Sequence, residues 1–205
     1  MKKVYIILLL STFTIILSGF ILLTNKNQYT KDLLSLKEAY LVARISLPNE
    51  NFILYDLNSR DLFDGEFSHE DSGINGRRKF WSFTFVEVGT KNHMFIDIEN
   101  GTVTNLFQSE EFYVEVEGLI QFSEISIDST NAIKIALDYR NLLPGINWAF
   151  GYHFTLAKMN DEYGNYKNEA VMSVTGFTEE GNFYRVSINL KSMEVVGHDS
   201  GLKMQ

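Results

Sequence analysis

The chain opens with an uninterrupted apolar run from Val4 to Leu23 and then turns to mixed patterns at helical or strand spacing. Leu36, Tyr40, Ala43 and Leu47 recur at helical spacing, as do Ala132, Ile133, Ala136 and Leu137. Ser35 with Glu38 forms a capping-box pattern ahead of the first set, and Asp128 is a good N-cap for the second. Both helices are expected to stop near a proline, Pro48 or Pro144. Alternating segments predict strands near 52–57, 80–88, 93–98 and 102–107, and again near 147–157, 169–178, 183–190 and 194–197. Between them, "FYVEVEG" (Phe112 to Gly118) alternates like one more strand.

The two sets look like one unit used twice. The offset between the caps Ser35 and Asp128 is 93 residues. Phe85, Glu87, Gly89, Ile96, Ile98 and Val103 match Phe177, Glu179, Gly181, Ile188, Leu190 and Val195 at an offset of 92. Gly89 to Asn92 and Glu179 to Asn182 read as tight turns, and Asn100-Gly101 as a type I′ turn. Within the hairpin of residues 93–107, Met94, Ile96 and Ile98 share one face, which leaves Phe95 and Asp97 on the other. Asp97 corresponds to Asn189, so the fold does not require that charge twice.

The segments Ala39 to Arg44 with Phe95 to Val103, and Ala132 to Leu137 with Pro144-Gly145 and Tyr184 to Val195, resemble the PepSY domain family, here in tandem. Asn189 and Met193 depart from the family's Asp and Gly, and the first half carries a longer acidic insertion from Asp56 to Lys79. The resemblance implies modules that inhibit proteases or act like chaperones, and envelope proteins that regulate cell-wall enzymes. It divides the chain into residues 1–24, a first unit over 25–107, a connector over 108–126 and a second unit over 127–205. The expected fold class is α+β: two similar units, each a helix packed on a small antiparallel sheet, plus an N-terminal transmembrane helix.

The twenty uncharged, mostly apolar residues from Val4 to Leu23 match a hydrocarbon core about 30 Å thick at about 1.5 Å per residue. No small-residue cleavage site closes the run, and "LSGF" has Phe20 where a lipidated Cys would stand. An uncleaved signal anchor is expected, with Lys2 and Lys3 on the cytoplasmic side and the rest extracytoplasmic. The formal net charge of −8 argues against nucleic acid as a partner. The absence of cysteine excludes disulfides, thiolate nucleophiles and Cys-based metal sites.

No residue is assigned a catalytic or metal role, and no cofactor is expected. His69, His93, His153 and His198 lack paired-ligand spacing. The carboxylates of the insertion (Asp56, Asp61, Asp64, Glu66, Glu70, Asp71) read as a solvated loop, with weak cation binding or partner contact as the alternative. Two aromatic strands, "WSFTF" (Trp81, Phe83, Phe85) and "WAFGYHF" (Trp148, Phe150, Tyr152, Phe154), put rings on one face at period two. Sheet packing explains them; a contact face is the sharper alternative. For a contact face, Trp148, Tyr152 and Trp81 are the candidate partner residues. The functional expectation is a non-enzymatic, membrane-anchored extracytoplasmic binding or inhibitory module with an envelope protein partner. Its rivals are a small-molecule or cation-binding sensor using a helix–sheet cavity, and an enzyme whose site is assembled from scattered residues.

Overall fold

The computed structural model describes residues 33–59, 72–145, 150–158 and 168–203. The run from Val4 to Leu23 lies outside these. Among the described residues no helix is long and apolar enough to cross a membrane.

Each half contributes one α-helix and four strands among the described residues. The first has α1 (Leu36–Arg44), β1 (Phe52–Ser59), β2 (Phe80–Glu87), β3 (Asn92–Glu99) and β4 (Thr102–Glu110). The second has α2 (Ser129–Tyr139), β5 (His153–Lys158), β6 (Ala170–Phe177), β7 (Asn182–Asn189) and β8 (Val195–Lys203). The expected caps form: Ser35 and Glu38 make a reciprocal capping box, and the Asp128 carboxylate accepts the Ser129 N–H. Both helices end several residues before their prolines.

The sheet departs from the expectation of two small sheets. All eight strands form one antiparallel sheet in the order β4-β3-β2-β1-β5-β6-β7-β8. The two meanders join through β1 and β5, with Asp56 opposite Ala157, Leu57 opposite Leu156 and Asn58 opposite Thr155. Residues 32–205 accordingly fall in one compact unit. Two helices on one face bury a single apolar cluster that runs through both halves, from Phe83, Phe85 and Ile96 to Phe154, Met172 and Val186.

A bulge in β1 makes the joint possible. The register shifts between Leu54 and Asp56, so Leu54 and Leu57 both reach the core while Tyr55 and Asp56 face away. β5 covers only Asp56 to Asn58 of β1, and before the bulge the Leu54 carbonyl accepts the Ile120 N–H of the connector at 2.7 Å. The "FYVEVEG" segment forms no strand. It is irregular and ends in a short 3₁₀ turn, Val116–Gly118. Val114 and Leu119 pack on Val86, Ile53 and Tyr55, on the face opposite the helices.

The turns are where the repeat is least exact. Asn100 (φ 50°) and Gly101 (φ 72°) both take positive φ, as a type I′ turn requires. In the second half the matching β7–β8 turn is longer and Met193 takes positive φ (61°). The β6–β7 turn has five residues between Phe177 and Phe183, against six between Val86 and His93 in β2–β3. One residue reverses every side chain of a strand. Phe85 is in the core, whereas Met172 and Val174 are the core residues of β6 and Phe177 lies on the other face. The match of Phe85 to Phe177 therefore fails, and Asp97 and Asn189 share the face away from the helices but not a ladder position: Asp97 stands between Ser82 and Asn105, whereas Asn189 lies at the β7–β8 turn.

The helix N-termini meet. Ser129 Oγ accepts the Leu36 N–H at 2.9 Å and donates to the Gly76 carbonyl at 2.6 Å. Asp128 Oδ1 accepts the Lys37 N–H at 3.1 Å as well as the Ser129 N–H at 2.8 Å. One Asp-Ser pair thus satisfies orphan donors of both helices, coupling the repeats end to end.

Candidate interaction surface

Two of the three sequence-based contact residues are core residues. Trp81 is 0% exposed, and its indole N–H donates to the Leu34 carbonyl at 3.0 Å. Tyr152 is 2% exposed, and its hydroxyl donates to the Leu142 carbonyl at 2.8 Å. Their polar tips find main-chain acceptors inside the protein rather than water. Trp148 lies outside the described residues, as do His69 and five of the insertion's six carboxylates (Asp61, Asp64, Glu66, Glu70 and Asp71). Of the insertion's cations, Arg77 binds Glu38 of α1, with Nη2 donating to Oε1 at 3.0 Å.

The described histidines do not converge. His93 is buried on β3, His153 opens β5, and His198 on β8 bonds the Tyr139 hydroxyl at 3.1 Å. Among the described residues no group of three or more His, Asp or Glu side chains is placed to hold a metal ion. The His93 Nδ1 lies 3.0 Å from the Lys91 carbonyl, which can only accept, so that nitrogen carries the proton. Its ring packs between Phe95 and Phe112, with centroids 6.2 and 4.9 Å away. Asp97 accepts from the Ser82 hydroxyl and from the Asn105 amide at 3.2 Å, a cross-strand polar row rather than a reactive site.

The Asp56 carboxyl has a raised pKa. Burial pushes it up; a Thr84 hydroxyl hydrogen bond and the nearby His93 pull it down less strongly. A carboxyl whose folded pKa exceeds its unfolded value lowers stability above the folded pKa, and the penalty disappears as pH falls below the unfolded one. Asp56→Asn is therefore expected to raise the unfolding midpoint at neutral pH and to lose that advantage in acid below about pH 4. Paired urea titrations at neutral and acidic pH check this. An advantage that grows in acid would contradict it.

The exposed apolar side chains concentrate elsewhere. Leu106, Phe107, Phe112, Tyr113 and Val116 are each between 44% and 53% exposed. They belong to the edge strand β4 and the connector that follows it. Phe107 stacks on Phe95 with centroids 4.9 Å apart, and Phe112 packs edge-on to Tyr55 at 5.7 Å. These rings are held in place by neighbours while half of each faces solvent. Phe107, stacked on Phe95, and Phe112, packed on Tyr55, lie on the face opposite the helices, and exposed apolar groups of this kind mark contact surfaces; Leu106, opposite Ile96, is on the helix side of the same edge.

The charge around them is mostly acidic, with Lys91, whose carbonyl accepts the Glu111 N–H, at its border. From Asn92 to Ile133 there is no Lys or Arg, against Asp97, Glu99, Glu110, Glu111, Glu115, Glu117, Glu124 and Asp128. Glu124 is paired with Lys158, Asp128 caps the helices, and Asp97 sits in its polar row. Glu110, Glu111, Glu115 and Glu117 stay exposed beside the aromatic rings. Sequence reading missed this surface because its alternation was taken for a strand. The available signal was the run of carboxylates without a cation.

The comparisons with known proteins leave the family open. No protein-family model matches the chain, and no curated protein matches it. Among solved structures it is similar to the crystal structure of a "putative lipoprotein (CD1622)" from Clostridium difficile. The likeness has a TM-score of 0.48 at 14% identity and covers 73% of this chain and 83% of that one. At that level it carries no functional reading.

Proposed function

We propose that the chain is a non-enzymatic, membrane-anchored extracytoplasmic binding or inhibitory module that contacts an envelope protein through β4 and the connector. The observation that carries the reading is the set of half-exposed apolar residues Leu106, Phe107, Phe112, Tyr113 and Val116 on the edge strand and connector, flanked by the exposed carboxylates Glu110, Glu111, Glu115 and Glu117. The apolar run from Val4 to Leu23 behind Lys2 and Lys3 supports the membrane anchor. The resemblance of the helix–hairpin units to PepSY domains supports an envelope peptidase or wall hydrolase as the partner, by analogy of fold alone. A small-ligand sensor has one feature in its favour. A surface cleft of about 310 Å³ lies among Tyr139, Arg140, Asn141, Thr178, Glu179 and Glu180. It sits at the end of α2 and the β6–β7 turn rather than between helix and sheet, where such a sensor was expected.

The double substitution Phe107→Ser, Phe112→Ser tests the reading. Both rings are half-exposed, so the variant is expected to lose no more than about 2 kcal/mol of stability. Native electrophoresis of gently solubilised membranes should show the wild-type chain in a complex that the variant no longer forms. A complex of unchanged size and amount would remove β4 and the connector from the account.

A further inference from the structure

We propose that β4 receives a ninth strand from a cationic partner segment in extended conformation, a deepening that rests on the reading above. The two sheet edges are not alike. β8, with sequence VVGHDSGLK, carries two glycines, charges of both signs and register shifts against β7. These are the features that blunt an edge against strand addition. β4, with sequence TVTNLFQSE, has no proline, glycine or lysine, and its one irregularity is confined to the end near the turn.

The phase of the ladder identifies the available main chain. The Asn100 N–H bonds the Lys79 carbonyl, and the Glu111 N–H bonds the Lys91 carbonyl. In an antiparallel ladder successive residues bond to alternate sides. The odd-numbered residues of β3 therefore bond β4, and Leu106, Gln108 and Glu110 turn their N–H and C=O groups outward from the sheet. An incoming strand meets those three residues, with Phe107 on one face and Leu106 on the other as apolar neighbours. Main-chain pairing supplies affinity and the flanking side chains supply selectivity.

The charge selects the occupant. Glu110 and Glu111 stand at the end of the outward-facing stretch, and Glu115 and Glu117 add to the same field. A segment alternating Lys or Arg with apolar residues is complementary to it, and a second copy of this acidic edge is repelled.

The test uses the full-length protein in lipid nanodiscs and two short capped peptides, one alternating lysine with valine and one alternating glutamate with valine. Hydrogen–deuterium exchange resolved by residue should show the amides of Leu106, Gln108 and Glu110 slowed by the lysine peptide and unchanged by the glutamate peptide. Gln108→Pro removes an outward N–H while sparing the ladder to β3, and should weaken the lysine peptide by about tenfold. Glu110→Lys with Glu111→Lys should reverse the preference between the peptides, and added salt should weaken the lysine peptide. No slowing at these amides, or equal binding of the two peptides, overturns strand addition. So does slowing without peptide that tracks protein concentration, which would mean a second copy at the edge. If Phe107→Ser with Phe112→Ser abolishes the native complex while Gln108→Pro leaves it intact, the contact surface stands and only strand addition fails.

Discussion

Gly76→Ala is expected to destabilise the protein by about 3–5 kcal/mol, among the largest effects of any single methyl group in the molecule. Gly76 has φ +77°, where a Cβ is strained. The added Cβ would also lie 2.4 Å from Cα and N of Thr130 and 2.5 Å from the carbonyl carbon of Ser129. Those are main-chain atoms of the first turn of α2, so relief requires the helix to move. Moving it breaks the Ser129 hydroxyl's bonds to the Gly76 carbonyl and the Leu36 N–H together. The natural control is Gly89→Ala, at φ +77° with no atom near the new Cβ. That variant should show the backbone cost alone, about 1–2 kcal/mol. Urea unfolding midpoints of the two variants measure the difference. Equal losses would mean that the close approach at the helix junction is not sustained.

Trp81→Ala should cost about 3–5 kcal/mol through the cavity it leaves in a closed core. The ring is 0% exposed and lies against Phe154, with centroids 6.1 Å apart, so both halves of the sheet lose packing. Trp81→Phe should cost much less. The Leu34 carbonyl that loses the indole donor still accepts the Arg78 N–H at 2.8 Å. Thermal unfolding reads both, at roughly 2–4 °C per kcal/mol for a domain of this size. A Trp81→Ala variant of wild-type stability that had lost its partner would restore Trp81 as a contact residue and contradict its place in the core.

The local structure was legible in the residues that make it. Ser35 with Glu38, Asp128, and Asn100-Gly101 each announce a cap or a turn whose chemistry is local, and each forms as its side chains dictate. The joint between β1 and β5 was not legible, because strand pairing across a hundred residues leaves no local mark and a bulge at Tyr55 disturbs the alternation. The match of Phe85 to Phe177 failed on a single residue of turn length, which sequence similarity does not resolve but side-chain direction does. Trp81 and Tyr152 were contact candidates only if the aromatic strands formed a contact face; both lie in the core, where each polar tip meets a buried carbonyl. Phe112 and Tyr113 were hidden in "FYVEVEG", whose period of two reads as a strand although the segment lies on the sheet through Val114 without pairing as one.

Site-specific photo-crosslinking in intact membranes tests the central claim most directly. A photoreactive phenylalanine is placed at Phe107, at Phe112, or at Leu143, which is exposed but far along the chain from the acidic surface. The account predicts adducts to one and the same envelope protein from positions 107 and 112 and none from position 143. Adducts from position 143 with none from 107 or 112 would contradict it.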